Sequence, residues 1–195
     1  MAMNQGELRK IYQRATLDPA DVDPDPLAQF RRWYEEEKTL TPNEPNAMAV
    51  ATASASGHPS VRMVLLKHWD AQGFVFFSGY NSPKGQEIAE NPRVELLFYW
   101  PESERQVRID GTVSHTTPEE TAEYFHSRPR GSQIAASVAN QSQVTDKAAM
   151  EALVADLTAK FEGQEIPVPE TWGSATAPDL PDRRTPPAAR RPWLA

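Results

Sequence analysis

The chemically suggestive residues of this sequence are cations and small polar side chains at the ends of short apolar segments. Arg62 and Lys67 bracket RMVLLK, and their separation of five residues places them on opposite faces of a strand. Lys84 falls in the first turn of a helix opened by Ser82-Pro83, where free backbone N–H groups already favour an anion. Gln106 begins a further strand, and Arg128, Arg130 and Ser132 crowd the turn after another helix. Such spacing suits a pocket for a phosphorylated small molecule, held by charge-assisted hydrogen bonds. The plainer alternative for any one of them is a solvated charge at an element end.

The composition narrows the field. The chain has 195 residues, a formal net charge of −7 and no cysteine. That charge disfavours nonspecific binding to nucleic acid, so any basic site must be local. Without cysteine there is no disulfide framework, thiolate metal site or thiol nucleophile. His58, His68, His115 and His126 lack metal-ligand spacing, so no metal is expected. There is no G-x-G-x-x-G, phosphate loop or G-x-S-x-G elbow. No apolar run approaches the roughly 18 residues of a membrane helix, and MAMNQGELRK lacks a signal-peptide apolar region, so a soluble cytoplasmic protein is expected.

The elements that must position these residues are readable from local signals. Residues 1–24 form a polar, proline-broken arm. Asp25-Pro26 caps a helix running to about Lys38, with Leu27, Phe30 and Tyr34 on one face. From Ala47 the period becomes two, and Ser56-Gly57-His58-Pro59 turns the chain into a second strand, Ser60 to Lys67. Phe74 to Ser78, Val94 to Tyr99 and Gln106 to Ser114 read as three more strands, making five in a small antiparallel barrel. A helix opened by Ser82-Pro83 ends at Asn91-Pro92. Thr117-Pro118-Glu119-Glu120 is a capping box whose helix Arg128-Pro129 ends. Thr145 caps a longer helix, whose stripe of Met150, Leu153, Val154, Leu157 and Phe161 reads as core, with Gly163 as its C-cap.

The segments RMVLLKHWD, SPKGQEIAENPRVELLFYW, ERQVRIDGTV and YFHSRPRGSQIAA resemble, in order and spacing, the pyridoxamine 5′-phosphate oxidase family. The resemblance runs from about Pro26 to Gly173. It implies a mainly β fold with flanking helices (α+β), a small antiparallel FMN-binding split β-barrel at 25–172, assembled as a homodimer with FMN at the interface. It further implies FMN-dependent oxidation of pyridoxamine and pyridoxine 5′-phosphates to pyridoxal 5′-phosphate, with oxygen as acceptor. The alternatives are a non-catalytic FMN- or pyridoxal-phosphate-binding protein and a split-barrel flavoprotein with another substrate.

Carried over by position, the resemblance assigns Arg62, Met63, Val64 and Lys67 to the flavin, with Arg62 on its phosphate. Phe77, Ser78, Lys84 and Gln106 join them, and Gln141-Ser142 reach in from the partner subunit. The substrate phosphate falls to Lys67, Tyr124, Arg128 and Ser132. Read without the family, Tyr124 is equally a core residue, Gln106 a barrel-edge amide and Ser132 a helix N-cap.

Two departures stand out. Pro83 occupies a position where many relatives have Arg. From Gly173 the chain reads GSATAPDLPDRRTPPAARRPWLA, where the family continues into two strands carrying a Trp, an Arg-x-His pair and another Arg. A segment poor in β-formers and rich in proline is not expected to supply barrel strands, so 173–195 reads as a disordered tail produced by frameshift or divergence. No catalytic residue is assigned, because the Arg-x-His pair is missing. The expected outcome is weak FMN binding and low or absent oxidase turnover; a family-like rate on pyridoxamine 5′-phosphate contradicts it.

Overall fold

The computed structural model describes residues 11, 14, 17–41, 43–138 and 146–177. Asp25 accepts from the Leu27 N–H and Pro26 occupies the first turn, so α1 spans Pro26–Leu40. Two strands follow, β1 (Ala47–Ala53) and β2 (Pro59–Leu65), paired in register from Ala47 opposite Leu65 to Ala53 opposite Pro59. Next come β3 (His68–Asp70), β4 (Gly73–Gly79) and α2 (Pro83–Glu90), whose N-cap Ser82 accepts from Gly85. Then β5 (Arg93–Trp100), β6 (Arg105–Thr112) and β7 (Ser114–His115) lead to α3 (Pro118–Ser127), which has the expected reciprocal Thr117–Glu120 capping box. The chain continues through α4 (Arg130–Val138) and α5 (Lys147–Lys160) to β8 (Trp172–Ala177).

The strands form two antiparallel sheets, ordered β2-β1-β5-β6 and β3-β4-β8-β7. Strict alternation explains the core: Met48 and Val50 on β1, and Val94, Leu96, Phe98 and Trp100 on β5, are buried. Phe30 of α1 plugs the space between the sheets, its ring 4.9 Å from Phe74, 5.1 Å from Phe98 and 5.3 Å from Trp69. A second cluster beside it joins Phe125, Ile134, Ile166 and Trp172. None of the helices among the described residues is long and apolar enough to cross a membrane.

Three expectations change. Eight strands, not five, occur among the described residues. Gly173–Ala177 belongs to a strand that pairs with β4 from Phe74 opposite Ala177 to Gly79 opposite Trp172. Backbone pairing and small buried side chains at Ser174, Ala175 and Ala177 replace the β-formers this segment lacks. Residues 178–195 lie outside the described ones, as does Thr145; Asp146 caps α5.

The third change concerns the α5 stripe. Leu153 is 49% exposed and Val154 36%, and only Leu157 and Phe161 pack on the second cluster. Periodicity reveals an apolar stripe but not what covers it.

Gly85 holds a close approach and Gly131 does not. A Cβ on Gly85 meets the Tyr80 carbonyl oxygen and lies 2.7 Å from that of Gly79, backbone atoms that cannot swing away. At Gly131 nothing lies within 4 Å. Gly85→Ala is therefore expected to cost about 1–3 kcal/mol through overpacking, while Gly131→Ala costs nothing. Urea midpoints of the two variants check this, and equal midpoints contradict it.

Candidate functional site

Local chain chemistry turns the sequence's cations toward one place. Lys67 follows β2, and its N–H donates to Val75 O on β4 at 2.9 Å, which ties the two sheets together beside the site. Lys84 sits in the first turn of α2. Arg128 precedes Pro129, and this pre-proline position holds extended backbone (φ −76°, ψ 151°) that ends α3. Ser132 lies one turn into α4, its N–H donating to Pro129 O at 2.8 Å.

These elements enclose a cavity of about 500 Å³. Lys67, Lys84, Arg128, Tyr124 and Ser132 supply its polar lining, and Met63, Val64, Phe77 and Trp172 much of its apolar wall. The size suits a small molecule or cofactor. Along one side the rings of Tyr124 and Phe77 stack with centroids 3.9 Å apart, and Phe77 stacks on Trp172 at 4.9 Å. The Arg128 guanidinium carbon lies 4.9 Å from the Trp172 ring centroid, and its Nη1 is buried with no hydrogen-bond partner. A buried unpaired guanidinium nitrogen is costly unless an anion completes it.

Burial pushes the Lys84 ammonium below the ordinary lysine range, and nearby Arg62 adds to the effect. An anion held there offsets both effects by favouring the charged ammonium. The arrangement can therefore fix phosphate groups with cations and hydroxyls while a planar ring lies against the apolar wall.

The comparisons with known proteins agree with this geometry. The profile described as pyridoxamine 5′-phosphate oxidase matches residues 34–161. The chain belongs to the pyridoxamine 5′-phosphate oxidase family. It is 51% identical over 168 residues to the pyridoxine/pyridoxamine 5′-phosphate oxidase of Paraburkholderia phymatum, covering 86% of this chain and 79% of that protein. The Nostoc sp. protein of the same name is 48% identical over 168 residues, covering 86% and 78%. Among solved structures, PhzG from Burkholderia lata in complex with tetrahydrophenazine-1-carboxylic acid superposes with a TM-score of 0.76 at 27% identity, covering 83% of this chain and 80% of that one. A pyridoxamine 5′-phosphate oxidase-related, FMN-binding protein from Nostoc punctiforme, at 13% identity and TM-score 0.61, covers 81% and 82% and shares the fold. The two-sheet architecture is thus the family's split barrel, mainly β with flanking helices.

Within this pyridoxamine 5′-phosphate oxidase fold, most of the residues singled out in the sequence meet at the cavity, and some do not. Arg62 lies outside the lining: its guanidinium donates to Thr52 Oγ1 at 2.5 Å, Val50 O at 3.3 Å and Glu87 Oε2 at 3.1 Å. Ser78 is buried behind the wall, donating to Gly79 O at 3.1 Å. Gln106 is exposed on β6, opposite Tyr99, at the edge of its sheet away from β2 and outside the cavity lining. Gln141 and Ser142 lie outside the described residues. Arg130 turns away, donating to the Phe161 carbonyl and to Gln164 O at 3.0 Å, and so anchors the end of α5.

Trp172 is the site residue that the sequence reading left without a role. Its presence in PVPETWG was the available signal, but no strand was expected beyond it to aim the ring inward.

Among the described residues no group of three or more His, Asp or Glu side chains is arranged to hold a metal ion. The Glu87 carboxylate accepts from Thr52 Oγ1, from Ser60 Oγ at 2.7 Å and from Arg62. These donors, Thr52 foremost, hold its carboxyl below the usual glutamate range. Folding then favours the ionised form, so its stabilisation is complete above the ordinary glutamate range and is lost as pH falls through the lowered native value. Glu87→Gln is expected to cost about 1–2 kcal/mol at neutral pH and to flatten the acid limb of the stability curve. Denaturant midpoints at neutral and acid pH test it, and equal acid losses in both proteins contradict it.

Proposed function

We propose that this chain is an FMN-dependent oxidase, cytoplasmic and homodimeric, that converts pyridoxamine and pyridoxine 5′-phosphates to pyridoxal 5′-phosphate with oxygen as acceptor. The observation that carries the reading is the single cavity in which a buried, unpartnered Arg128 nitrogen and two lysines face a stack of aromatic rings. Its donor set fits the groups the family uses. When bound, FMN would supply the acceptance of hydride from the substrate's C4′ carbon and the reaction with oxygen.

The residues divide the remaining work. Lys84, in the first turn of α2, is suited to the flavin phosphate, with Arg62 contributing positive potential from behind. Met63, Val64 and Phe77 offer the wall against which the ring system would lie, excluding water from that face. Lys67, Tyr124, Arg128 and Ser132 present the charge and hydroxyls for a substrate phosphate, fixing the pyridine ring at its far end so that C4′ is oriented. Gln106, Gln141 and Ser142 would contribute from the second copy of the homodimer. A second reading, flavin binding without turnover, is favoured by the lack of histidine in residues 173–195, where the Arg-x-His pair is expected.

The test is binding and turnover in matched variants. Quenching of FMN fluorescence is expected to show binding, weakened about tenfold by Lys84→Met through loss of one charge-assisted contact. Arg128→Gln is expected to raise KM for pyridoxamine 5′-phosphate about tenfold or more with FMN affinity unchanged. Failure to quench FMN contradicts both readings, and quenching without peroxide production selects the second.

A further inference from the structure

We infer that Trp172 is the positioning residue for the phosphate-binding arginine: its indole face holds the Arg128 guanidinium in place and leaves an N–H edge free for an anion. The inference rests on the reading of Arg128 as a phosphate ligand and adds the residue that holds that ligand ready.

The main chain of Arg128 is already fixed. Pro129 restricts its backbone, and the Gln133 side-chain amide donates to Arg128 O at 2.8 Å. The long side chain beyond is not fixed by either contact. An arginine in a cavity needs something to replace the water it loses, and a carboxylate in that role would neutralise it toward phosphate. An aromatic face attracts the cation without occupying an N–H donor. The arrangement at Arg128 matches that requirement, with the guanidinium 4.9 Å from the indole centroid and Nη1 buried and unpartnered.

Trp172 is itself immobilised, as a positioning group must be. It is buried, stacked on Phe77 at 4.9 Å and met edge-on by Phe125 at 5.3 Å. Its backbone N–H donates to Pro169 O at 3.0 Å, and it starts β8 opposite Gly79. The same ring therefore connects the strand carrying Phe77 to the turn carrying Arg128. The contrast with Arg62 supports the assignment: that guanidinium is held by Glu87 and Thr52 and lies outside the cavity lining.

The experiment is calorimetric titration of the FMN-loaded protein with 4-deoxypyridoxine 5′-phosphate and with 4-deoxypyridoxine, neither of which can be oxidised at C4′. The readout is the ratio of the two affinities, which a merely structural role for Trp172 leaves unchanged. Trp172→Leu is expected to lower the preference for the phosphorylated ligand about tenfold, Trp172→Phe by less, and Trp172→Leu to add nothing in an Arg128→Gln background. Trp172→Phe preserves an aromatic wedge and stays measurable if Trp172→Leu does not fold. Equal weakening of both ligands, or losses that multiply with Arg128→Gln, overturns the inference. A wild-type protein with no phosphate preference removes the reading of Arg128 and this inference together. A wild-type preference kept intact in both Trp172 variants overturns this inference alone.

Discussion

The pairing of β8 with β4 is the contact on which the site depends. It places Trp172 opposite Gly79 and Ser174 opposite Phe77, so the indole meets the Phe77 ring and the stack with Tyr124 can form. That approach is close: a Cβ on Gly173 collides with the Tyr80 hydroxyl, so any larger residue there forces the Tyr80 side chain to move. Remove this pairing and the second sheet loses its link between β4 and β7, the second hydrophobic cluster loses Trp172, and the cavity loses one wall.

Charge is sorted around that wall. Glu87 pairs with Arg62 on the α2 side, whereas the cavity lining holds Lys67, Lys84 and Arg128 and no carboxylate. The consequence is a concentration of cations in one concavity of a protein whose net charge is −7. Such an arrangement favours a doubly charged phosphate while disfavouring the extended polyanions that a generally basic surface attracts. Aromatic stacking beside the cations offers a surface suited to a planar ring.

Much of this was legible in the sequence wherever the deciding chemistry is local. Asp25-Pro26, Ser82-Pro83 and Thr117-Pro118 each open a helix as read, since capping and a proline in the first turn involve only neighbouring residues. Alternation in AMAVATA and RVELLFYW identified β1 and β5. What local signals do not reveal is non-local. WGSATA has little strand propensity and becomes a strand because β4 and β7 flank it. The α5 stripe looked like core because periodicity cannot show that the protomer leaves Leu153 half exposed. The contact between Arg62 and Glu87, 25 residues apart in the chain, has no sequence signature. Gln106 is on the edge strand β6, across its sheet from β2, a placement set by strand order and not by its neighbours in the chain.

The central claim is that one cavity holds a flavin against the apolar wall and a phosphorylated pyridine ring within reach of it. Anaerobic mixing of the FMN-reconstituted protein with pyridoxamine 5′-phosphate, followed by visible absorption, tests that claim most directly. The account predicts bleaching of the flavin band by the phosphorylated amine and none by pyridoxamine at the same concentration. A bound flavin that stays oxidised with both, or bleaches equally with both, contradicts it.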